Sequence, residues 1–159
     1  MAGEAEVMFA SDVASRSLGM ELLRVAPGTA EVRMRITRAM VNGYDIAHGG
    51  YLFMLADTAF ACACNSHGQV TVAAGAEISF VTSARLGDEL VATAEMRTRY
   101  GRNGIYDVTI RRDHDIIAEF RGRSRTVAPE ARMNTVAPEA RMNTVAPEAR
   151  MNTVAPEVP

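Results

Sequence analysis

Two features of the central segment carry chemical potential. Asp57 stands in the run Leu55-Ala56-Asp57-Thr58-Ala59-Phe60, with no arginine or histidine within a helical turn to pair it. Burying a lone ionised carboxylate is costly. An aspartate facing a wet gap, or capping a neighbouring element, is the plainer reading; surroundings apolar on nearly every side favour a working carboxylate in a pocket. Such a group can act as general base or as nucleophile. His48-Gly49-Gly50 opens the same segment. Glycines let a ligand approach the backbone, and the first turn of a helix presents unpaired N–H groups at the positive end of its dipole. Together they form a ready oxyanion site for a carbonyl under attack. By themselves the glycines could equally permit a tight turn, with His48 as a cap.

The spacing makes a geometric demand. His48 precedes Asp57 by nine residues, a rise of about 13 Å along a helix. One chain's Asp57 therefore cannot meet its own helix start. If both act on one acyl group, a second chain must supply one of them. Two antiparallel helices would place each Asp57 opposite the partner copy's Gly49, which predicts a two-fold dimer with two equivalent sites.

The elements around this pair follow from periodicity. His48 to His67 is apolar almost throughout, and its Ala/Leu/Met content favours a buried helix over a strand. Phe9 to Leu18 is expected to form a short helix, and Pro27-Gly28 a turn. Thr29 to Ile36 alternates polar and apolar residues, as a half-exposed strand does. Met40 to Asp45 reads as a loop. Val70–Val81, Asp88–Tyr100, Gly104–Arg112 and Ile116–Thr126 have β character, with turns at 85–88, at 101–104, where Asn103-Gly104 suits a hairpin, and at 113–115. One strand, one long helix and a four-strand meander give an α+β fold, an antiparallel sheet packed on a central helix. The hotdog fold has this order, its sheet wrapped around the helix.

The chain's 159 residues suffice for one domain with a real core. From Val127 the sequence reads VAPEARMNT three times and then VAPEVP. A proline in each short unit, and few bulky apolar residues, predict a solvated, disordered tail at 127–159 beyond a working domain at 1–126. The net charge is −2 and there is no tryptophan, which argues against a nucleic-acid partner. All 17 basic residues are arginines. Cys62 and Cys64 point to different sides of a helix and are expected to be small buried hydrophobes in a reducing compartment, not a disulfide or a metal site. Acidic residues stand where a secretory signal needs positive charge, and no apolar run is long enough to span a membrane, so a cytoplasmic location is expected.

The stretch VNGYDIAHGGYLFMLADTAFACACNSHG, followed by FVTSARLGDELVATAE, GIYDVTI and AEFRGRSR, closely resembles the PaaI-type acyl-CoA thioesterases of phenylacetate degradation, a branch of the hotdog thioesterases. The resemblance covers roughly residues 10–126. It implies hydrolysis of phenylacetyl-CoA or a ring-hydroxylated analogue to the free acid and CoA. Position by position, the catalytic aspartate falls on Asp57, the carbonyl-polarising amide on Gly49, the histidine on His48 and the active-site asparagine on Asn42. The serine that some related hotdog thioesterases carry on the strand after the helix is matched by Ala73, so no serine is assigned.

Gly50, Thr58, Met54 and Phe60 are candidate substrate-binding residues beside these, and Arg85 and Arg102, in turns, are candidates for the CoA phosphates. No metal or redox cofactor is implied; coenzyme A is part of the substrate. His67 and His114 lack ligand spacing and are expected at the surface. The expected assemblies are a homodimer with shared sites and a homotetramer. Two other functions fit the same fold. A hydratase or dehydratase would also use a buried carboxylate, with a histidine as its proton partner, and would hydrate crotonyl-CoA. A non-catalytic acyl-CoA-binding regulator would normally bring a DNA-binding segment, which this sequence does not show.

Overall fold

The computed structural model of the chain describes residues 3–127. Its centre is helix α3, Gly49–Asn65. Before it come helices α1 (Glu4–Ser11) and α2 (Val13–Ser17), strands β1 (Glu21–Ala26) and β2 (Thr29–Arg35), and a single 3-10 turn at Arg38–Met40. After it come β3 (Thr71–Phe80), β4 (Glu89–Tyr100), β5 (Asn103–Arg112) and β6 (Asp115–Thr126). The strands form one six-stranded antiparallel sheet in the order β1-β2-β4-β5-β6-β3. This is the expected α+β architecture, a sheet curled around one long helix.

Alternation on the strands delivers the inner face of the sheet to that helix. Ala30, Val32 and Met34 of β2, Leu90, Ala92 and Ala94 of β4, and Tyr106, Val108 and Ile110 of β5 are all buried. They meet Leu52, Leu55, Ala56, Ala59, Phe60 and Ala63 of α3 in one core. Its carboxyl end is clamped by hydrogen bonds: Asn65 Nδ2 donates to the Ala61 and Thr71 carbonyls, and its Oδ1 accepts from the Thr71 N–H. Ser66 Oγ accepts from the Gly28 N–H at 2.8 Å.

Several expectations need correction. The helix expected over 9–18 is two helices, because Asp12 ends α1 in an extended conformation and its carboxylate caps α2 at the Ser15 N–H. Strand β1 has no counterpart in the sequence reading. It is a sheet edge with a register shift between Leu22 and Arg24, which breaks the alternation that would have marked it. The last four strands are not a simple meander, for β3 pairs with β6, and β4 turns its other edge to β2. The β4–β5 hairpin turns at Gly101-Arg102, two residues before the expected pair. Gly101 supplies the positive φ of 56°, while Asn103 and Gly104 already lie in β5. Val127, first residue of the repeats, donates its N–H to the Val70 carbonyl. The disorder expected for the rest of the repeats lies outside the described residues.

Close packing of helix on sheet makes one glycine indispensable. A methyl carbon on Gly122 of β6 would lie 2.8 Å from three atoms of the Phe60 ring. Phe60 is buried and boxed in edge-on by Tyr106, with Phe120 tilted on another side, so it has nowhere to move. Gly122→Ala should therefore cost about 1–3 kcal/mol of stability through overpacking, measured as a fall in the denaturant midpoint.

Candidate active site

The amino end of α3 is built by a short ordered loop. Asn42 Oδ1 accepts from the backbone N–H groups of Tyr44 and Ile46, at 2.9 and 3.4 Å. This side-chain turn, with the Val41–Ala47 bridge, sets the path of the chain into the helix. The Asn42 oxygen is thus engaged in the loop, while its Nδ2 donates to no described group. His48 is the N-cap: its Nδ1 accepts from the Gly50 N–H at 3.0 Å. A ring nitrogen that accepts carries no proton, so the neutral ring has its proton on Nε2. The Tyr51 N–H goes to the His48 carbonyl. Among the described residues, nothing accepts from the Gly49 N–H. The cap thus takes the second amide of the helix and leaves the first one available.

That amide borders a cleft of about 280 Å³ lined by Asn42, Ile46, Gly49, Leu52, Phe80 and Ser83, among others. A methyl carbon on Gly49 would lie 2.8 Å from Phe80 Cζ, so the end of the Phe80 ring rests directly on the glycine. Phe80 is missing from the sequence reading. The alternation Ala76, Ile78, Phe80 places it on the helix-facing side of β3, but its landing on Gly49 depends on how β3 passes the helix start. A second depression, of about 680 Å³, lies on the opposite face of the sheet. There Arg97 and Arg121 both pair with Asp107.

Asp57 lies about two turns further along α3. Gly50, Met54, Asp57 and Ala61 form one stripe at helical spacing, and it is the stripe that the sheet leaves partly or fully open. Among the described residues Asp57 has no hydrogen bond or ion pair. Burial pushes its carboxyl above the usual aspartate range, and the negative charge of Asp12 adds to the shift. Asp12 is held nearby by a chain of contacts: Ser15 Oγ donates to Asp12 Oδ2 at 2.5 Å and lies 2.9 Å from Thr58 Oγ1.

The other candidates divide. Met54 shares the stripe of Asp57. Thr58 is turned into the protein, its hydroxyl donating to the Met54 carbonyl, and Phe60 is a core residue stacked against Tyr106 and Phe120. Neither reaches an open surface: Thr58 is covered by Ser15 of α2, and Phe60 is on the sheet side of the helix. Arg85 follows the cleft wall directly, at Ala84. Arg102 sits at the opposite end of β4, a strand of 12 residues and roughly 35 Å long, so the two cannot hold one phosphate group within one chain. Cys62 and Cys64 are buried, their thiols pushed up to about 12, which makes them inert packing residues. His114 is exposed, but His67 is not a plain surface residue: its Nε2 is buried without a partner, and burial and Arg99 lower its pKa. No group of three or more His, Cys, Asp or Glu among the described residues is placed to hold a metal ion. No described helix is long and apolar enough to cross a membrane.

An antiparallel sheet wrapped on one long helix is the architecture of the hotdog thioesterases. The thioesterase superfamily model matches residues 44–119. The acyl-coenzyme A thioesterase PaaI of Escherichia coli is 40% identical over 124 residues, 77% of this chain and 89% of that protein. The structure of the E. coli PaaI protein from the phenylacetic acid degradation operon superposes with a TM-score of 0.77, covering 79% of this chain and 91% of that one. A point mutant of the phenylacetic acid degradation protein PaaI from Thermus thermophilus superposes at 0.71 with 29% identity, covering 73% of this chain and 100% of that one. The chain belongs to the thioesterase superfamily, as an enzyme of its PaaI-type acyl-CoA thioesterase branch.

The charge of Asp57 has a thermodynamic signature. Its folded pKa is raised, so the folded protein holds the proton more tightly than the unfolded chain. Ionising it costs stability, and that cost appears as pH rises from the usual aspartate value through the raised one. Asp57→Asn should therefore melt higher than the parent protein at neutral pH. The difference should shrink to nothing once pH falls below the usual aspartate range, as thermal melts across pH will read. A second substitution separates the two ends of Asn42. Asn42→Asp keeps the oxygen that orders the loop but replaces the Nδ2 donor, so it should leave the melting temperature nearly unchanged and lower turnover of an acyl-CoA about tenfold or more.

Proposed function

We propose that this enzyme hydrolyses arylacetyl-CoA thioesters, phenylacetyl-CoA or a ring-hydroxylated analogue, to the free acid and CoA, at sites shared between two copies of the chain. The observation that carries the reading is an unpaired, half-buried Asp57 with a raised pKa on the same helix as the unengaged Gly49 amide. Their separation of eight positions corresponds to about 12 Å. That is too far for one carbonyl and suits two antiparallel helices. In such a pair the two-fold axis lies level with Phe53, midway between the residues that meet. Two features support the pairing. The Gly50–Met54–Asp57–Ala61 stripe is open to a neighbour, and β3 ends the sheet with an unpaired edge among the described residues.

In this site the Gly49 N–H of one copy donates to the thioester carbonyl oxygen and stabilises the negative charge that develops there. The carboxylate of Asp57 from the other copy works on the carbonyl carbon. As a base it takes a proton from the attacking water; as a nucleophile it forms a mixed anhydride that water then opens. In both routes the C–S bond breaks, CoA leaves as thiolate and is protonated, and the acid departs. A carboxylate whose pKa is raised by burial is a stronger base than an ordinary aspartate. Asn42 Nδ2 is available to orient the carbonyl, and His48 Nε2–H faces solvent beside it. Met54, on the stripe of Asp57, is assigned to the acyl side. Arg85, next to the cleft wall, is assigned to the CoA phosphates of the same copy, and Arg102 can reach only a different part of the assembly. No metal or redox group takes part.

Asp57→Asn should lower kcat by about 10²–10⁴ in a thiol-release assay with phenylacetyl-CoA, with the oligomer unchanged. Sharing of sites is read by mixing. Gly49→Pro removes the amide at the first helical position, where a helix backbone accepts proline, while the proline ring pushes aside the end of the exposed Phe80 side chain of the same copy. His48, at φ −65° and ψ 130°, already has the backbone that precedes a proline. Each parent alone should be nearly inactive. After chain exchange about half the dimers are mixed, each with one intact site, so about a quarter of full activity should return. Well-folded parents that exchange without recovering activity would place both groups of a site in one chain.

A further inference from the structure

Phe80 is a large aromatic left 56% exposed, although it continues the row Ala76, Ile78 that faces the helix. It is the last residue of β3, so its ring overhangs the start of α3 instead of entering the core. Gly49 lies under the end of that ring, with Cζ, Cε2 and Cε1 at 2.8, 3.2 and 3.3 Å from where a methyl carbon would stand. The cleft wall also carries aliphatic side chains, Ile46, Leu52, Val81 and Ala84, beside the polar Asn42, Thr82 and Ser83. A carbonyl accepting from the Gly49 N–H would therefore have the Phe80 ring as its nearest apolar neighbour, with an aliphatic floor beyond it.

We infer that Phe80 is a specificity-determining residue for the acyl group: its ring packs against the body of the acyl chain next to the carbonyl held at Gly49, favouring flat apolar acyl groups over acetyl. The inference rests on the thioesterase reading above and adds to it a residue that selects the substrate without touching the bond that breaks. Aromatic rings prefer offset or edge-on contact with other rings, which an arylacetyl group offers and an acetyl group does not. The same contact explains why the first helical residue is glycine: any side chain there would displace the ring.

The test compares phenylacetyl-CoA with acetyl-CoA in the parent enzyme, in Phe80→Ala and in Phe80→Leu. Because the side chain is more than half exposed, both variants should melt close to the parent. Phe80→Ala should lose about tenfold or more in kcat/KM for phenylacetyl-CoA and change little for acetyl-CoA. Phe80→Leu, which keeps apolar bulk without the flat ring, should fall between. A parallel binding measurement, with Asp57→Asn as silent background, should show Phe80→Ala weakening phenylacetyl-CoA while leaving free CoA unchanged. Equal losses on both substrates, or none on either, would overturn the role of Phe80 and leave the thioesterase intact. A parent enzyme that cleaves neither substrate would overturn the arylacetyl-CoA reading, and the role of Phe80 with it.

Discussion

A helix with apolar side chains on almost every side has to be covered on almost every side, and most of this structure answers that demand. Ten of the seventeen residues of α3 are buried. No flat sheet can cover so much of one helix, so the strands curl, drawing inner-face residues from β2, β4, β5 and β6 around it. At the tightest approach even one methyl is too much, which is why β6 carries glycine opposite the Phe60 ring. The two short amino-terminal helices cover part of what the sheet leaves open, and Ser15 pins them to Thr58.

The coverage stops at one stripe, and the one carboxylate of the helix is on that stripe. Its position resolves a conflict that an entirely buried Asp57 would create: half-buried, it loses enough hydration to raise its pKa without the full cost of a sealed charge. The nearby Asp12 adds repulsion where a structural aspartate would have found a cation. Elsewhere the acids behave in the ordinary way. Arg112 beside Asp88 and Arg121 beside Asp107 more than offset the effect of burial and hold those carboxyls below the usual range. The contrast sets Asp57 apart from acids that tie the sheet together.

Backbone groups complete the site at the helix start, and their availability follows from what the nearby side chains have already taken. His48 engages the second amide, Asn42 spends its oxygen on the loop, and what remains pointing outward is one N–H and one side-chain amide. Phe80 closes over the same spot from β3. Two segments distant in sequence, the loop and helix start at 42–49 and the end of β3, thus converge at the first turn of one helix, and the Asp57 carboxylate stands about two turns further along it.

The central helix, the alternating strands and the lone Asp57 were legible in the sequence, because helical and strand periodicities and a single charge in an apolar run are local signals. So was the separation of Asp57 from Gly49, since eight residues on a helix have a known rise. Strand β1 was not legible, for an edge strand with a register shift has no alternation to read. Nor was the pairing of β3 with β6, which is decided by the sheet closing around the helix and not by the order of the strands. Thr58 and Phe60 looked like site residues because they adjoin Asp57 in sequence. A helix turns neighbours to different faces, and only packing, of α2 on Thr58 and of the sheet on Phe60, decided which faces were the inside. Phe80 stands 31 positions after Gly49, and nothing local ties the two. Their contact exists because β3, running antiparallel to β6, carries its last residue past the start of α3, so residue types and spacing determined the chemistry available, and the tertiary structure decided which side chains surround it.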